Sequence, residues 1–207
     1  MRAEQFWDRL AHGYDKSTNS TYAEAYKKSI EISKKYLAPK MTLLDIGCGT
    51  GIITNEIADS VTRIDAIDYS KKMIEEAKNK ALKRGIGNIN YAVDDITHLA
   101  NSGNLYDCVT AYNVLYFMEH VDETLRRINS IIIEKGLFIA VTDCLGEKKT
   151  FKGQVTKLFQ KLGIFPFMEF FSIADLRKII CNNGFTIIEE TSLYPAPPNY
   201  CIVARKQ

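Results

Sequence analysis

Three glycines at alternate positions distinguish the segment Gly47-Cys48-Gly49-Thr50-Gly51. An apolar run at residues 43–47 leads into it, and a helical pattern at residues 50–60 follows it. Glycine permits tight turns and lacks the side chain that would keep a ligand away from the backbone. The first turn of the helix adds free amide donors and the positive end of the helix dipole. The segment therefore predicts a strand–loop–helix unit that binds a ligand; the alternative is a tight turn that binds nothing.

The alternation of strand and helix patterns continues along the chain. Further apolar runs typical of strands occupy residues 63–68, 89–93, 107–112 and 136–142. Helical patterns occupy residues 70–84, residues 121–134 and the segment between Ser172 and Gly184. Strands that alternate with helices are joined by crossovers, so we expect a mostly parallel sheet in an α/β fold.

The end of the chain departs from this alternation. Two strand patterns, at residues 185–190 and 200–204, are separated by about ten residues that include three prolines. A parallel crossover needs a dozen or more residues, usually with a helix. We therefore predict that the last strand is antiparallel and forms a hairpin with the strand before it.

The composition excludes some classes of partner. The chain has 207 residues, a formal net charge of +2 and five scattered cysteines. The length suits a single domain (residues 1–207), and the near-neutral charge gives no reason to expect nucleic acid or an anionic membrane as the main partner. The cysteine spacing matches neither a zinc site nor a redox pair, so we predict no metal and a cytoplasmic setting. No apolar stretch is long enough to cross a bilayer.

Acidic residues follow the second and third predicted strands. Asp68 lies about twenty residues after the first glycine, where a carboxylate can accept hydrogen bonds from both hydroxyls of a ribose. Asp94-Asp95-Ile96 ends the third strand, where a partner for an adenine amino group would lie. The dinucleotide fingerprint G-x-G-x-x-G is not matched, because Ile52 stands in the place of its third glycine. A nicotinamide-dependent oxidoreductase is thereby disfavoured but stays an alternative.

These motifs together resemble those of class I S-adenosylmethionine-dependent methyltransferases. Residues 44–51 are similar to the first motif of that family, and Asp68-Tyr69-Ser70 with Met73 to the second. Residues 94–99 are similar to the third motif and residues 106–115 to the fourth. The resemblance implies a Rossmann-like methyltransferase fold, in which a seven-stranded sheet has the order 3-2-1-4-5-7-6, one antiparallel strand and helices on both faces.

The resemblance also implies a cofactor, S-adenosylmethionine, and a product, S-adenosylhomocysteine. Asp45 and the glycine loop would hold the methionyl end, Asp68 the ribose, and the acids after the third strand the adenine, with Asp95 fitting the family spacing better than Asp94. The full set of implied cofactor-binding residues is Asp45, Gly47, Cys48, Gly49, Gly51, Asp68, Tyr69, Met73, Asp94, Asp95, Ile96, Tyr112, Asn113 and Tyr14.

The sequence says less about the acceptor of the methyl group than about the cofactor. A nitrogen or oxygen acceptor can need a base to take its proton, and His120, His12 and Asp143 are the candidates. Residues 6–15 resemble the lid helix of small-molecule methyltransferases, including quinone-biosynthesis types, which favours a small-molecule substrate and an N-terminal helical lid over residues 1–38. Methyl transfer to RNA or protein is an alternative, as is a non-catalytic role as a regulatory or assembly partner.

Residues 144–171 form an insertion after the fifth strand. They contain five lysines, two glutamates and six phenylalanines. We interpret this insertion either as a cap that determines substrate specificity or as an amphipathic helix that packs over the sheet edge with its lysines in solvent. The sequence is compatible with a monomer or a homodimer.

Overall fold

The computed structural model describes residues 3–99, 103–148, 151–195 and 197–207. Its single sheet has the order β3-β2-β1-β4-β5-β7-β6. All neighbours from β3 to β5 pair in parallel, whereas β7 is antiparallel to both β5 and β6. The predicted fold and the reversed last strand are thus confirmed. The strands are β1 (Thr42–Ile46), β2 (Arg63–Asp68), β3 (Ile89–Val93), β4 (Tyr106–Tyr112), β5 (Ile132–Asp143), β6 (Phe185–Pro195) and β7 (Pro198–Lys206).

Helices cover both faces of this sheet. The described helices are α1 (Ala3–Tyr36), α2 (Thr54–Ile57), α3 (Lys71–Lys83), α4 (Ile96–Leu99), α5 (Val121–Ile131), α6 (Phe151–Lys161) and α7 (Ile173–Asn182). Helices α1 to α3 pack on one face and α4, α5 and α7 on the other. The central strand β1 serves both cores, because successive side chains point to opposite faces: Leu43 packs towards α3 and Leu44 towards α5.

Several element boundaries differ from the prediction. The two hairpin strands are longer than predicted, since β6 extends to Pro195 and β7 begins at Pro198. The helix expected from residue 50 begins only at Thr54, because the backbone through Gly51 is occupied by turns with positive φ. Helix α5 ends at Ile131 and β5 begins at once at Ile132, where three consecutive isoleucines favour extended backbone over helix. The sequence did not predict α4, a single turn after β3.

Three further features of the described residues concern membrane spans, metal sites and cysteines. None of the helices in the described ranges is long and apolar enough to cross a membrane. Among the same residues, no group of three or more His, Cys, Asp and Glu side chains could hold a metal ion. All five cysteines are described and are free thiols.

Candidate active site

A cleft runs across the carboxyl ends of β1, β2, β3 and β4, which is the edge where open α/β sheets bind ligands. It consists of three adjoining cavities that share Gly47. The largest, of about 300 Å³, lies between the β3–α4 segment and α5. The other two, of about 50 Å³ each, lie beside the glycine loop under α1. We call the first the wide end of the cleft and the other two the narrow end.

The glycine loop has a backbone that other residues do not readily adopt. Gly47, Gly49 and Gly51 have φ values of +66°, +54° and +72°. A Cβ at Gly47 would lie 2.4 Å from the side chain of Val114, whereas a Cβ at Gly49 would meet no protein atom within 4 Å. Gly47 is therefore required by packing. Gly49 faces open space in the cleft, where a ligand can approach the backbone.

Asp45 is buried beneath the loop. Its two carboxylate oxygens accept hydrogen bonds from the hydroxyls of Thr54 (2.6 Å) and Thr110 (2.7 Å). Burial raises the pKa of Asp45 to about 6, and these two hydrogen bonds, which favour the charged form, only partly oppose the effect. Asp45 also lines the narrow end of the cleft, so its remaining lone pairs lie beside the loop.

Asp68 lies at the middle of the cleft and is oriented by backbone amides. Its Oδ2 accepts from the amide of Gly49 at 3.0 Å, and its Oδ1 accepts from the amide of Ser70 at 2.8 Å. Burial raises the pKa of Asp68, although both amides favour its charged form. A carboxylate offers about four acceptor positions, so about two stay available to a ligand. Tyr69 and Met73 line the same part of the cleft.

The acids after β3 line the wide end. Asp94, Asp95 and Ile96 all contribute to the wall of the 300 Å³ cavity. Asp95 also begins α4, since its Oδ1 accepts from the amide of Thr97 at 2.6 Å. Burial acts to raise the pKa of Asp95, but the hydrogen bonds from Thr97 and His98 outweigh it and lower the pKa. The structure thus brings both acids to the cleft.

A buried polar cluster lies behind the narrow end. Asn113, which lines the cleft and has a φ of +54°, accepts a hydrogen bond at 2.7 Å from the side-chain amide of Asn199. The same amide donates to Asp143 at 2.7 Å, and the Tyr22 hydroxyl donates to the other oxygen of Asp143 at 3.3 Å. We call these four residues the Asn199 cluster. It joins β4, β5, β7 and α1 at one point.

Helix α1 covers the narrow end. Tyr14 lines both small cavities, Trp7 and Tyr112 also contribute to their walls, and burial raises the pKa of Tyr14 well above its usual value. The ring of Trp7 packs edge-on against Phe117 with centroids 4.9 Å apart. Polar contacts fix this part of α1, because Asp15 accepts from the Thr50 hydroxyl and pairs with Lys80.

The two candidate histidines lie apart from Asp143. His120 contributes to the wide end, on the same cavity as Asp94 and Asp95. The side chain of His12 is 99% exposed on the outer face of α1, with Nδ1 3.4 Å from Glu76. The structure therefore does not bring His12 to the cleft, because the helix phase that turns Tyr14 inward turns His12 outward. Of the three candidate bases, only His120 lines one of the three cavities, whereas Asp143 lies behind the cleft wall and is linked to Asn113 through the side-chain amide of Asn199.

The remaining predicted residue, Cys48, lines the narrow end, and burial raises the pKa of its thiol well above the usual value. Sequence reasoning missed the partners of the predicted acids, namely Thr54, Thr110, Tyr22 and Asn199. Thr110 carries a weak signal, since it is a polar residue within a buried apolar strand. Asn199 carries none, because its role depends on the register in which β7 pairs with β5.

Comparison with known proteins identifies the class. The model of a methyltransferase domain family matches residues 16–190, which is most of the chain. The chain therefore belongs to this family, and its sheet order and glycine loop are those of the class I, S-adenosylmethionine-dependent type.

Individual relatives match a smaller part of the chain than the family model does. The ubiquinone biosynthesis O-methyltransferase of Coxiella burnetii is 33% identical over 101 residues, which make up 46% of this chain and 42% of that protein. The match thus spans less than half of the relative's length.

Several solved structures cover the whole chain, and two of them illustrate the similarity. One belongs to the complex of the Trm112 methyltransferase activator with a methyltransferase from Haloferax volcanii (TM-score 0.80, 18% identity, 100% of this chain and 99% of that one). The other is the N-methyltransferase NodS of Bradyrhizobium japonicum with S-adenosyl-L-homocysteine (TM-score 0.77, 16% identity, 100% and 99%). At these identities the two structures establish the fold.

Proposed function

We propose that this protein transfers the methyl group of S-adenosylmethionine to a small-molecule acceptor and releases S-adenosylhomocysteine. The observation that carries the proposal is the order of groups along one cleft: the glycine loop, then Asp68, then Asp94 and Asp95. This order suits a ligand with an amino-acid end, a ribose and an adenine. The residues fit such a group, because Gly49 leaves open space and Asp68 keeps acceptor positions free.

Each part of the cleft has a proposed role. Asp45 and the backbone of residues 47–51, including Cys48, hold the methionyl end, and Asp68, Tyr69 and Met73 hold the ribose. At the wide end, Asp95 and Ile96 bind the adenine beside Asp94. Tyr14, Tyr112 and Asn113 border the place of the sulfonium, where aromatic faces stabilise a cation by about 0.5–2 kcal/mol.

The chain's own contribution to the reaction is alignment and the handling of one proton. When bound, S-adenosylmethionine supplies an electrophilic methyl group, so the protein has mainly to orient the acceptor and exclude water, which can be worth about 7–11 kcal/mol. Where the acceptor carries a proton, Asp143 is the proposed base. Tyr22 and Asn199 hold its carboxylate in place. His120, at the adenine end, is a weaker candidate, and His12 would need α1 to turn.

Two segments beside the cleft, a proposed lid and a proposed cap, favour a small molecule as the methyl acceptor. Helix α1 closes the narrow end, so we propose that it opens to admit substrate and that residues 1–38 act as a lid. We assign residues 144–171 as the cap on the acceptor side, because Phe165 lies 6.0 Å from Phe6 of α1, measured between ring centroids. Residues 149–150 of this insertion fall outside the described ranges. The single-domain organisation, the cytoplasmic setting and the oligomeric state stay predictions.

Calorimetry with S-adenosylhomocysteine and with NADH tests the proposal. Wild type should bind the first, and Asp68→Ala should lose about 2–4 kcal/mol of that affinity through its charge-assisted hydrogen bonds. Asp59→Ala is the matched control, because Asp59 forms a surface ion pair away from the cleft. Tight NADH binding without S-adenosylhomocysteine binding would refute the proposal. Extracts incubated with methyl-labelled cofactor would then separate small-molecule, RNA and protein acceptors.

A further inference from the structure

An apolar stripe runs along the exposed side of α6 and the turn after it. Leu158, Leu162 and Ile164 are 54%, 63% and 48% exposed, and Phe159 next to them is 36% exposed. Leu158 and Leu162 lie four residues apart, and the amide of Leu162 donates to the carbonyl of Leu158 in a continuation of the helical turn, so the two leucines share one face. We call these four residues the α6 stripe. Single exposed apolar residues are ordinary on protein surfaces, but a contiguous group of four marks a surface that meets another apolar phase.

Positive charge lies beside the α6 stripe, where Lys157 and Lys161 flank it and the ammonium group of Lys157 lies 4.3 Å from the ring centroid of Phe170. The insertion contains five lysines against two glutamates. Both glutamates are engaged locally, because Glu147 accepts from the amide of Ile173 and Glu169 from the amide of Phe170. Lys157 and Lys161 are exposed on the helix that carries the stripe. The charge is thus local to the insertion and is hidden in the nearly neutral total.

Contacts between aromatic rings link the α6 stripe to the cleft. The ring of Phe159 contacts that of Phe165, with centroids 5.6 Å apart. Phe165 contacts Phe6 of α1, and Phe6 contacts Trp7, which lines the narrow end. A continuous path of aromatic rings therefore connects the stripe with the proposed place of methyl transfer.

We propose that α6 docks this protein onto an anionic phospholipid surface, with the α6 stripe in the interface and the lysines on the lipid phosphates. Helices of this kind lie in the plane of the membrane interface, with leucine and phenylalanine facing the acyl chains and lysine facing the headgroups. Each lysine close to an anionic surface adds to the attraction. The proposal goes beyond methyl transfer and does not depend on it.

Charge favours lipid over a second copy of the chain as the occupant. A two-fold contact through the α6 stripe would place the same surface patch of each subunit against its partner. Lys157 and Lys161 of one copy would then meet those of the other, and like charges repel. An anionic surface supplies the opposite charge along the whole length of the helix.

Cosedimentation of the full chain with lipid vesicles tests the proposal. We expect binding to vesicles of phosphatidylcholine mixed with phosphatidylglycerol, little binding to phosphatidylcholine alone, and weaker binding as salt is raised. Leu158→Glu combined with Leu162→Glu should lower binding by roughly tenfold or more through the lost apolar contact. Lys157→Glu combined with Lys161→Glu should have a similar effect on anionic vesicles only.

Matched controls come from α3. Leu82 is 80% exposed there, so Leu82→Glu changes a leucine that is more accessible than Leu158 or Leu162 without touching the stripe. Lys78→Glu combined with Lys83→Glu reverses the same amount of charge elsewhere on the surface. Both controls should bind vesicles as wild type does, and circular dichroism checks that every variant is folded.

Three results would overturn the proposal. The first is wild-type protein that stays in the supernatant with anionic vesicles at low salt. The second is a leucine variant that sediments as wild type does. The third is a dimer in light scattering that the leucine variant converts to monomer while vesicle binding is absent, since the stripe would then be an interface between copies.

Discussion

The side-chain amide of Asn199 lies 2.7 Å from Oδ1 of Asn113, so the second residue of β7 holds a residue that lines the cleft at the end of β4. The same amide also donates to Asp143. Its two hydrogens therefore satisfy one acceptor that lines the cleft, on Asn113, and one that is buried, on Asp143. One side chain thus sets the position of both the cleft-lining amide and the proposed base.

Asn199→Ala should destabilise the protein and slow methyl transfer. Loss of the donor leaves the buried carboxylate of Asp143 and the amide oxygen of Asn113 without this partner, which costs about 1–3 kcal/mol of unfolding free energy. Misplacement of Asn113 and Asp143 should lower kcat by roughly ten- to a hundredfold, with a smaller effect on S-adenosylhomocysteine affinity. Urea unfolding and a labelled-methyl assay measure the two effects. Asn182→Ala, at the exposed end of α7, is the control, and a kcat equal to wild type in Asn199→Ala would contradict the assignment.

Alanine at three glycines should separate backbone strain from ligand contact. Gly49 and Gly85 both have positive φ and open space where a Cβ would lie, but only Gly49 lies in the cleft. Both variants should lose a similar stability, about 1–2 kcal/mol, from the left-handed backbone. Only Gly49→Ala should weaken S-adenosylhomocysteine binding. Gly47→Ala should lose more stability than either, because its Cβ would overlap Val114.

Thermal unfolding and calorimetry on these three variants give both quantities. If Gly49→Ala binds S-adenosylhomocysteine as Gly85→Ala does, the ligand does not approach the loop backbone at that point.

The buried carboxyl of Asp45 should make stability depend on pH. Its pKa is raised to about 6 in the folded protein from an ordinary value of 3.8, so the folded state binds the proton more tightly than the unfolded state does. The stabilisation is therefore complete below about pH 4 and is lost as the pH rises through about 6. Relative to Asp45→Asn, wild type should gain up to about 3 kcal/mol between neutral pH and pH 4, since a tenfold change in proton affinity is worth about 1.4 kcal/mol.

Urea unfolding of wild type and Asp45→Asn across this pH range measures the difference. Asp59→Asn is the control, because Asp59 is exposed and the pKa of its carboxyl is lowered by the hydrogen bond from Lys34. A difference between wild type and Asp45→Asn that is constant with pH would show that Asp45 does not titrate in this range.

Asp15→Asn should loosen the N-terminal half of α1. Asp15 links this half to Thr50 of the loop and to Lys80 of α3. Trp7 is the only tryptophan in the sequence, and it lies about two helical turns before Asp15. Because Trp7 packs against Phe117, its emission reports whether this half of α1 is docked. We expect red-shifted emission and faster amide exchange over the first turns of α1. Asp59→Asn breaks the Lys34 pair near the far end of the same helix and should leave the emission unchanged.

Local patterns in the sequence were sufficient for the fold and for the groups that line the cleft. The glycine loop, Asp68 and the acids after β3 sit at the ends of strands, and strand ends of a parallel sheet meet at one edge whatever the details of packing. The reversal of β7 followed from the length of its connection. The strand order came from the resemblance of the motifs, not from the patterns themselves.

What the sequence left open depends on helix phase and strand register. His12 and Tyr14 are two residues apart on α1, and a rotation of the helix decides which of them faces the cleft. Asn199 meets Asp143 only because β7 pairs with β5 in the register that sets these two residues opposite each other. A shift by one residue would turn the side chain to the other face of the sheet. The residues nearby in the sequence indicate neither the rotation of α1 nor the register of β7.

The antiparallel hairpin has a consequence for the time at which the site forms during folding. The Asn199 cluster joins residues that are 86 and 121 positions apart along the chain, through the Asn113–Asn199 and Tyr22–Asp143 hydrogen bonds. Contacts between distant positions form slowly, because a large loop must close before they are gained. The β1–β4 core can therefore assemble while Asn113 still lacks its partner. During refolding, recovery of methyl transfer should accordingly lag behind the far-ultraviolet signal of the sheet and helices.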